Sequence, residues 1–390
     1  MINIVDKSLC SGCHACMSVC SKFAITMQED NEGFLYPIVD ENKCIGCDLC
    51  DKSCQVLNPI TNENEPIVAY ACNNLNDAVR MQSSSGGIFS LIAEWIISQD
   101  GVVFGAGFDD ELNVVHMAVD NTNDLSKLRG SKYVQSVIDD SYIQTKELLD
   151  AGIKVLFSGT PCQIDGLLHF LRKDYDNLYT LDIICHGVPS PKVWKKYLEY
   201  QEILNGSSLS KTKLPTFRSK EDGWIRYRSA LFFENGNSYS MTHAKDLYMK
   251  VFLKNVSLRP SCYACNSKSV NRNSDITLAD LWGCRNIVPD MFDDKGTSFV
   301  VINSQKGKYL FDAVNASLIF KEIKFEEAIK FNPAIDKCPV KPRKRQFFFD
   351  NIDSMNFSEL VEKAVKPTFL KKVQTFFKNY LWAIKNKLKI

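Results

Sequence analysis

"CSGCHACMSVC" at residues 10–20 and "CIGCDLCDKSC" at 44–54 share the spacing C-x2-C-x2-C-x3-C. Zinc sites more often pair two C-x2-C knuckles at a distance, and such a pair remains the alternative. Three close cysteines and a fourth instead wrap one face of an iron–sulfur cubane. Between the runs, "FAITMQEDNEGFLYPIVDENK" reads as two short strands around "DNEG", a turn signal. That hairpin brings the two runs together as a near two-fold pair.

Residues 1–58 resemble a bacterial two-cluster ferredoxin, in which the fourth cysteine of each run ligates the other cluster. The resemblance assigns Cys10, Cys13, Cys16 and Cys54 to one 4Fe–4S cluster, and Cys44, Cys47, Cys50 and Cys20 to the second. The proline that usually follows the fourth cysteine is Ser21 in one run and Gln55 in the other. That proline shapes the exit turn and is not a ligand. A ferredoxin conducts single electrons, so the rest of the chain is expected to hold one end of the path.

Composition agrees. The chain has 390 residues, 45% apolar and 24% charged, enough for one small and one large domain. A net charge of +1 gives no global pull toward nucleic acid. No basic-then-apolar leader is visible at the N-terminus, and no apolar run approaches the roughly 20 residues of a membrane span. The expected location is cytoplasmic. There, fifteen cysteines point to metal rather than to disulfides.

After the linker "NPITNENEPIV" (58–68), strand-like and helix-like segments alternate. "SSSGGIFSLIAEWIISQDG" puts Ile88, Leu91, Ile92, Trp95 and Ile96 on one helical face, with the serines as its start and Gly101 after its end. "IKVLFSGTPCQIDGLLHFLR" reads strand, tight loop, helix, with Thr160 as N-cap and Pro161 at the first helical position. "LYTLDIICHGVPSPKVWKKYLEY" repeats that plan through Ser190 and Pro191, and "YRSALFFENGNSYSM" is a hairpin around Asn235–Gly236. The predicted fold is an α+β ferredoxin-like N-terminal domain (1–58), a larger α/β domain with a mixed sheet (66–345), and a basic C-terminal tail (346–390).

Three glycine-rich turns join a strand to a helix or open a helix: "SSSGG" (83–87), "SGTPCQ" (158–163) and "CHGVPSP" (185–191). Free amide N–H groups at such turns attract phosphate, although glycine turns join elements in any α/β protein. No G-x-G-x-x-G follows a strand, so an ordinary dinucleotide unit is not supported. Cys162 and Cys185 follow predicted strands, and Cys262 and Cys265 form a further C-x2-C pair. On their chemistry alone these four could hold a third 4Fe–4S cluster, pack as unrelated core thiols, or bind zinc. Cys284 is an alternate ligand; Cys72 and Cys338 read as small hydrophobes. His186, beside Cys185, is the one candidate proton donor, against the plainer reading of a hydrogen-bonded histidine.

"SSSGG", "RGSKYVQS", "FSGTPCQIDGL", "DIICHGVPSPKVW", "RPSCYAC…RNSDITLADLWG" and "DKGTS" occur in that order. Over residues 66–320 this resembles the coenzyme F420 hydrogenase/dehydrogenase beta-subunit family. The resemblance implies FAD beside the clusters, and an oxidoreductase that passes electrons between clusters and flavin. The flavin would exchange a hydride with a deazaflavin or another organic substrate, since flavins interconvert one- and two-electron chemistry. It places FAD at Ser84, Ser85, Gly86, Gly87, Lys132, Gly159, Thr160, Pro161 and Gln163, and a third cluster on Cys162, Cys185, Cys262 and Cys265. "GTPCQ" and "CHGVPSP" are also similar to a branch found in anaerobes that make no F420, in surface-polysaccharide gene sets. The implied partners are an electron donor or acceptor protein and a small-molecule substrate, with no nucleic acid. The competing reading is a non-catalytic electron-transfer subunit of a larger complex.

From Val365 onward there are seven lysines and no acidic residue. "FLKKVQTFFKNYLWAIKNKLKI" sets Leu370, Val373, Phe377, Tyr380, Leu381, Ile384 and Leu388 along one face. A basic amphipathic helix can lie on the inner face of a membrane; the alternative is docking on its own domain or on a partner.

Overall fold

The computed structural model describes residue 2, residues 6–60 and residues 65–366. The tail from 367 onward, with its expected membrane helix, lies outside the described residues. Among the described residues no helix is long and apolar enough to cross a membrane.

The two cysteine runs each end in a single helical turn, α1 (Ala15–Ser18) and α2 (Leu49–Lys52). Between them β1 (Ile25–Glu29) and β2 (Leu35–Val39) pair antiparallel from Ile25↔Val39 to Glu29↔Leu35. The Asp30 carboxylate accepts from the N–H groups of Glu32 and Phe34, which closes the expected turn.

Next come β3 (Val68–Asn74), the helices α3 (Asp77–Gln82) and α4 (Ile88–Ser98), β4 (Val102–Phe108), β5 (Val114–Val119) and α5 (Ser141–Asp150). β6 (Val155–Gly159), α6 (Pro161–Leu171), β7 (Leu178–Ile183) and α7 (Pro191–Asn205) follow. β8 (Thr216–Ser219), β9 (Arg228–Phe232) and β10 (Ser238–Thr242) make a separate antiparallel sheet. Its β9–β10 turn holds Gly236 at φ 85°, as the Asn-Gly pair predicts. α8 (Leu247–Leu253), β11 (Ile276–Asp280), β12 (Ser298–Ile302) and β13 (Leu318–Ile323) complete the main sheet and its cover.

That sheet has eight strands in the order β13-β3-β12-β11-β7-β6-β4-β5. β4, β6, β7 and β11 run parallel, and the other pairings are antiparallel. It is the expected mixed sheet. The helix starts follow from their caps: Gln163 Oε1 accepts from Thr160 N–H at 2.9 Å, and Ser190 Oγ accepts from Val193 N–H at 3.3 Å. α4 buries Ile88, Ile92 and Ile96, and leaves Leu91 and Trp95 half-buried. Its cap is Gly87, at φ 84°, and not a serine. The serines instead reach β12 and its approach: Ser85 Oγ donates to Thr297 O at 2.9 Å, and Gly86 N–H donates to Ser298 Oγ at 2.9 Å.

Large aromatic side chains tie the N-terminal segment to the rest. Phe34 and Tyr36 share one core with Trp194, Tyr197, Tyr248 and Phe348. Arg345 pairs with Glu32, and Ser190 Oγ donates to Glu32 O. Helices Arg345–Asp350 and Phe357–Val365 bury Phe348, Leu360 and Val361 in that same core.

Candidate functional site

The parallel strands β4, β6, β7 and β11 end on one edge, where loops of an α/β sheet build sites. Both sets of sequence-singled loops lie there, and the first cysteine run is pressed onto α6. Gly166 makes this close approach feasible, because a Cβ at that position would stand 2.8 Å from Cys13 Cβ.

Cys10, Cys13, Cys16 and Cys54 line one cavity, so the fourth cysteine of the second run meets the first three of the first run. Burial pushes the Cys16 thiol well up, and the charges of Cys13, Cys10 and Cys54 add to it. Burial likewise raises Cys13 and Cys54. Such thiols stay protonated unless a cationic metal core draws off the proton. Of the second set, Cys20 and Cys50 belong to one apolar cluster; Cys44 is half-buried and Cys47 exposed. Burial raises Cys50, opposed in part by the Ile2 N–H, which donates to its sulfur at 3.3 Å.

Cys162, Cys185, Cys262 and Cys265 come from three loops and line a second cavity. Cys162 opens α6, Cys185 lies just past β7, and the Cys262–Cys265 pair follows Arg259–Pro260. Burial raises Cys162, and the charges of Cys265, Cys185 and Cys262 reinforce it. It lifts Cys262 to about 12 and Cys265 to about 11. Cys338 reads in the sequence as a plain hydrophobe, yet its sulfur accepts from Cys265 N–H at 3.2 Å. Cys284 is elsewhere, packed in a core with Val288 and 3.5 Å from Thr297 Oγ1. Among the described residues, no three or more His, Cys, Asp or Glu side chains are placed to hold a single metal ion.

Arg259 stands between the two cavities and is fully buried. Its guanidinium donates to Cys10 O at 2.8 Å, Leu35 O at 2.8 Å and Gln135 Oε1 at 3.0 Å, all neutral groups. Among the described residues no carboxylate pairs with it. An unpaired buried charge costs several kcal/mol. A thiolate-bound iron–sulfur group is anionic and would supply the missing counter-charge, so the residues present fit that group. Lys268 adds a second cation, donating to Cys185 O.

The nine flavin candidates fall into two stretches. Ser84 Oγ accepts from Ser131 N–H at 2.7 Å, and Ser85 O accepts from Lys220 Nζ at 2.7 Å. Gly86 and Gly87 open α4. Lys132 donates to Lys127 O and Arg129 O. Gly159, Thr160, Pro161 and Gln163 sit instead beside the thiols: Thr160 Oγ1 is 3.2 Å from Cys162 Sγ, and Pro161 lines the same cavity. His116 lies beside the second stretch, with Nε2 donating to Ser158 O at 3.0 Å and Nδ1 accepting from Ser136 O–H at 2.9 Å. His186 is held 2.7 Å from Asn255 Oδ1, and burial lowers its pKa.

Sequence reading missed the cations around "SSSGG". Arg80, Arg218 and Lys220 are buried there. Arg218 pairs with Asp280 at 2.9 Å, donates to Ser84 O, and lies over Tyr227 and Trp282. Burial pushes the Lys220 ammonium down to about 7. The signal was present: Arg218 and Lys220 alternate in "TFRSK", and such positions share a strand face.

Residues 152–327 match the family described as the C terminus of the coenzyme F420 hydrogenase/dehydrogenase beta subunit, and residues 9–57 match the 4Fe-4S dicluster domain. A solved structure of the F420-reducing NiFe hydrogenase complex from Methanosarcina barkeri, a xenon derivative, contains a chain 17% identical to this one. The alignment covers 70% of this chain and 93% of that one, at a TM-score of 0.47. The chain is thus an iron–sulfur protein related to the coenzyme F420 hydrogenase/dehydrogenase beta subunit, an oxidoreductase family.

Proposed function

We propose that this protein is an iron–sulfur flavoprotein oxidoreductase that moves electrons between 4Fe–4S clusters and FAD. The carrying observation is a shared wall: Ser11, Gln55 and Val56 line both the Cys10/Cys13/Cys16/Cys54 cavity and the Cys162/Cys185/Cys262/Cys265 cavity. Two thiol sites that touch the same three residues are close enough to pass an electron. When bound, the clusters would supply one-electron transfer, and FAD would supply hydride exchange with an organic substrate.

The chain's own residues serve that chemistry in distinct ways. Cys20, Cys44, Cys47 and Cys50 hold the outer cluster at the surface, where a donor or acceptor protein can reach it. Arg259 and Lys268 balance negative charge at the inner two sites. The "SSSGG" loop, with Arg218 and Lys220 behind it, offers hydroxyls and N–H groups to a flavin phosphate. Gly159, Thr160, Pro161 and Gln163, beside the Cys162 thiol, would hold the flavin on that side when it is bound.

The test is anaerobic purification with iron, acid-labile sulfide and flavin quantified, followed by turnover with a deazaflavin. Brown protein with three clusters and FAD is the expected result. Zinc as the main metal would overturn the proposal. Metal and flavin without turnover by the isolated chain would make it an electron-transfer subunit.

A further inference from the structure

We infer that Gln55 is the joint between the inner two thiol sites, positioning each against the other for electron transfer; the inference rests on the cluster reading above. The usual residue at this place in the cysteine pattern is proline, whose ring carries no donor. Gln55 is buried, 7% exposed, and directly follows Cys54. Its amide Nε2 donates to Cys162 O at 2.6 Å and to Ser11 Oγ at 3.1 Å. Its Oε1 accepts from Ser267 Oγ at 3.0 Å.

Every one of these partners is a thiol-site residue or lies within two residues of one. Ser11 follows Cys10, a residue of the first site. Cys162 belongs to the third, and Ser267 lies two residues past Cys265. One amide therefore fixes the distance between a loop of the N-terminal segment and two loops of the main sheet. Its two N–H groups are spent on the Cys162 carbonyl and the Ser11 hydroxyl, one on each side of the joint. Hydrogen bonds that fix the ligand loops, and net charge beside them, tune a cluster's reduction potential. The counterpart in the other run, Ser21, is exposed, so the repeat does not demand this arrangement. An electron leaving the first site for the third oxidises one centre and reduces the other, with a one-electron donor protein as the source. Gln55 neither gains nor loses a proton in that step.

The test uses full-length protein with Gln55→Leu, which keeps bulk and removes hydrogen bonds, and Gln55→Glu, which keeps length and loses the donors. Iron and sulfide should be unchanged. Electron paramagnetic resonance should show weaker splitting between the two reduced inner centres in Gln55→Leu. Redox titration should show the potential of the inner sites lowered in Gln55→Glu, whose carboxylate adds negative charge beside them. Stopped-flow reduction of the flavin by a one-electron donor should slow at least tenfold, while reduction by dithionite added directly is unchanged. Loss of iron in Gln55→Leu moves the test to Gln55→Glu. Wild-type potentials, splitting and rate in an iron-replete variant would overturn the inference. Absence of iron from wild-type protein would overturn the cluster reading instead, so the two failures are distinguishable.

Discussion

The two cysteine runs have one backbone and two environments. Gly12 and Gly46 both sit at φ 67°, and the residues two places on, His14 and Asp48, at φ 66° and 58°. Each then enters one helical turn. Yet a Cβ on Gly12 would lie 2.8 Å from the Arg259 guanidinium, while one on Gly46 would meet nothing within 4 Å. His14 and Ala15 are buried; Asp48 is exposed and Leu49 half-buried. Cysteine spacing sets the loop, since ligand geometry constrains φ and ψ. What packs against the loop is a tertiary matter. The inner copy is sealed against the main sheet, as suits transfer within the molecule. The outer copy keeps Ile45 64% exposed beside Cys44, as suits transfer to another protein.

The sharpest way to break this contrast is to remove thiols. Cys262→Ser with Cys265→Ser should cost one whole cluster of iron and sulfide and leave the two N-terminal clusters, as read by metal analysis and resonance spectra. Unchanged iron would mean that the cavity at the end of β7 holds no cluster. The inner pair would then shrink to a single site.

Next in size is the glycine pair. Gly12→Ala and Gly46→Ala carry the same left-handed strain, about 1 kcal/mol. Gly12→Ala must also displace a guanidinium pinned by three hydrogen bonds and stacked 4.3 Å from Tyr36. Overpacking of that kind adds about 1–3 kcal/mol. Denaturant unfolding of the holoprotein should show Gly12→Ala the less stable by about that added amount. Equal losses would mean that the inner copy is no more tightly held than the outer one.

What could be read in the sequence follows from how local each signal is. The two runs needed only spacing; the exchange of Cys54 is what the ferredoxin resemblance implies, and those four cysteines line one cavity. Cys162 and Cys185 were legible because strand–loop–helix order puts both past strand ends on one sheet edge. The start of α4 was not, because Ser85 is drawn to Thr297 and the Gly86 N–H to Ser298, at the start of β12 more than 200 residues away. Arg259 looked like any loop arginine. Its burial depends on Cys10, Leu35 and Gln135 meeting around it, which no local pattern encodes. Gln55 was visible as a departure from proline, but the reach of its amide was not.

The inner environment also disfavours a protonated imidazole, which pH should expose. Burial lowers the pKa of His116 to about 4, and its neutral form is fixed between Ser136 and Ser158. The folded pKa lies below the unfolded value of about 6.5. The stabilisation is therefore fully present above pH 6.5 and lost as pH falls from 6.5 to 4. It amounts to about 3 kcal/mol. Thermal unfolding across this range should fall less steeply in His116→Gln than in the wild type. Identical slopes would show that this imidazole is not held neutral.

The smallest effect belongs to the outer side, at Phe23. Its φ is 50°, and the side chain is 79% exposed, three residues past Cys20. A bulky residue in the left-handed region costs about 1–2 kcal/mol, and an exposed ring recovers none of it by burial. Glycine removes the strain but gives back about 0.5–1 kcal/mol through the freer unfolded chain. Phe23→Gly should therefore leave iron unchanged and raise the stability of the isolated protein by up to about 1 kcal/mol, a melting-point gain of a few degrees at most. A residue kept at such a cost beside the outer thiols is where a partner would be expected to touch. Reduction by a protein donor should then slow in the same variant, while reduction by dithionite does not. A stability loss in place of the gain would mean that the ring packs on its own chain, and the outer run would no longer count as the bare copy.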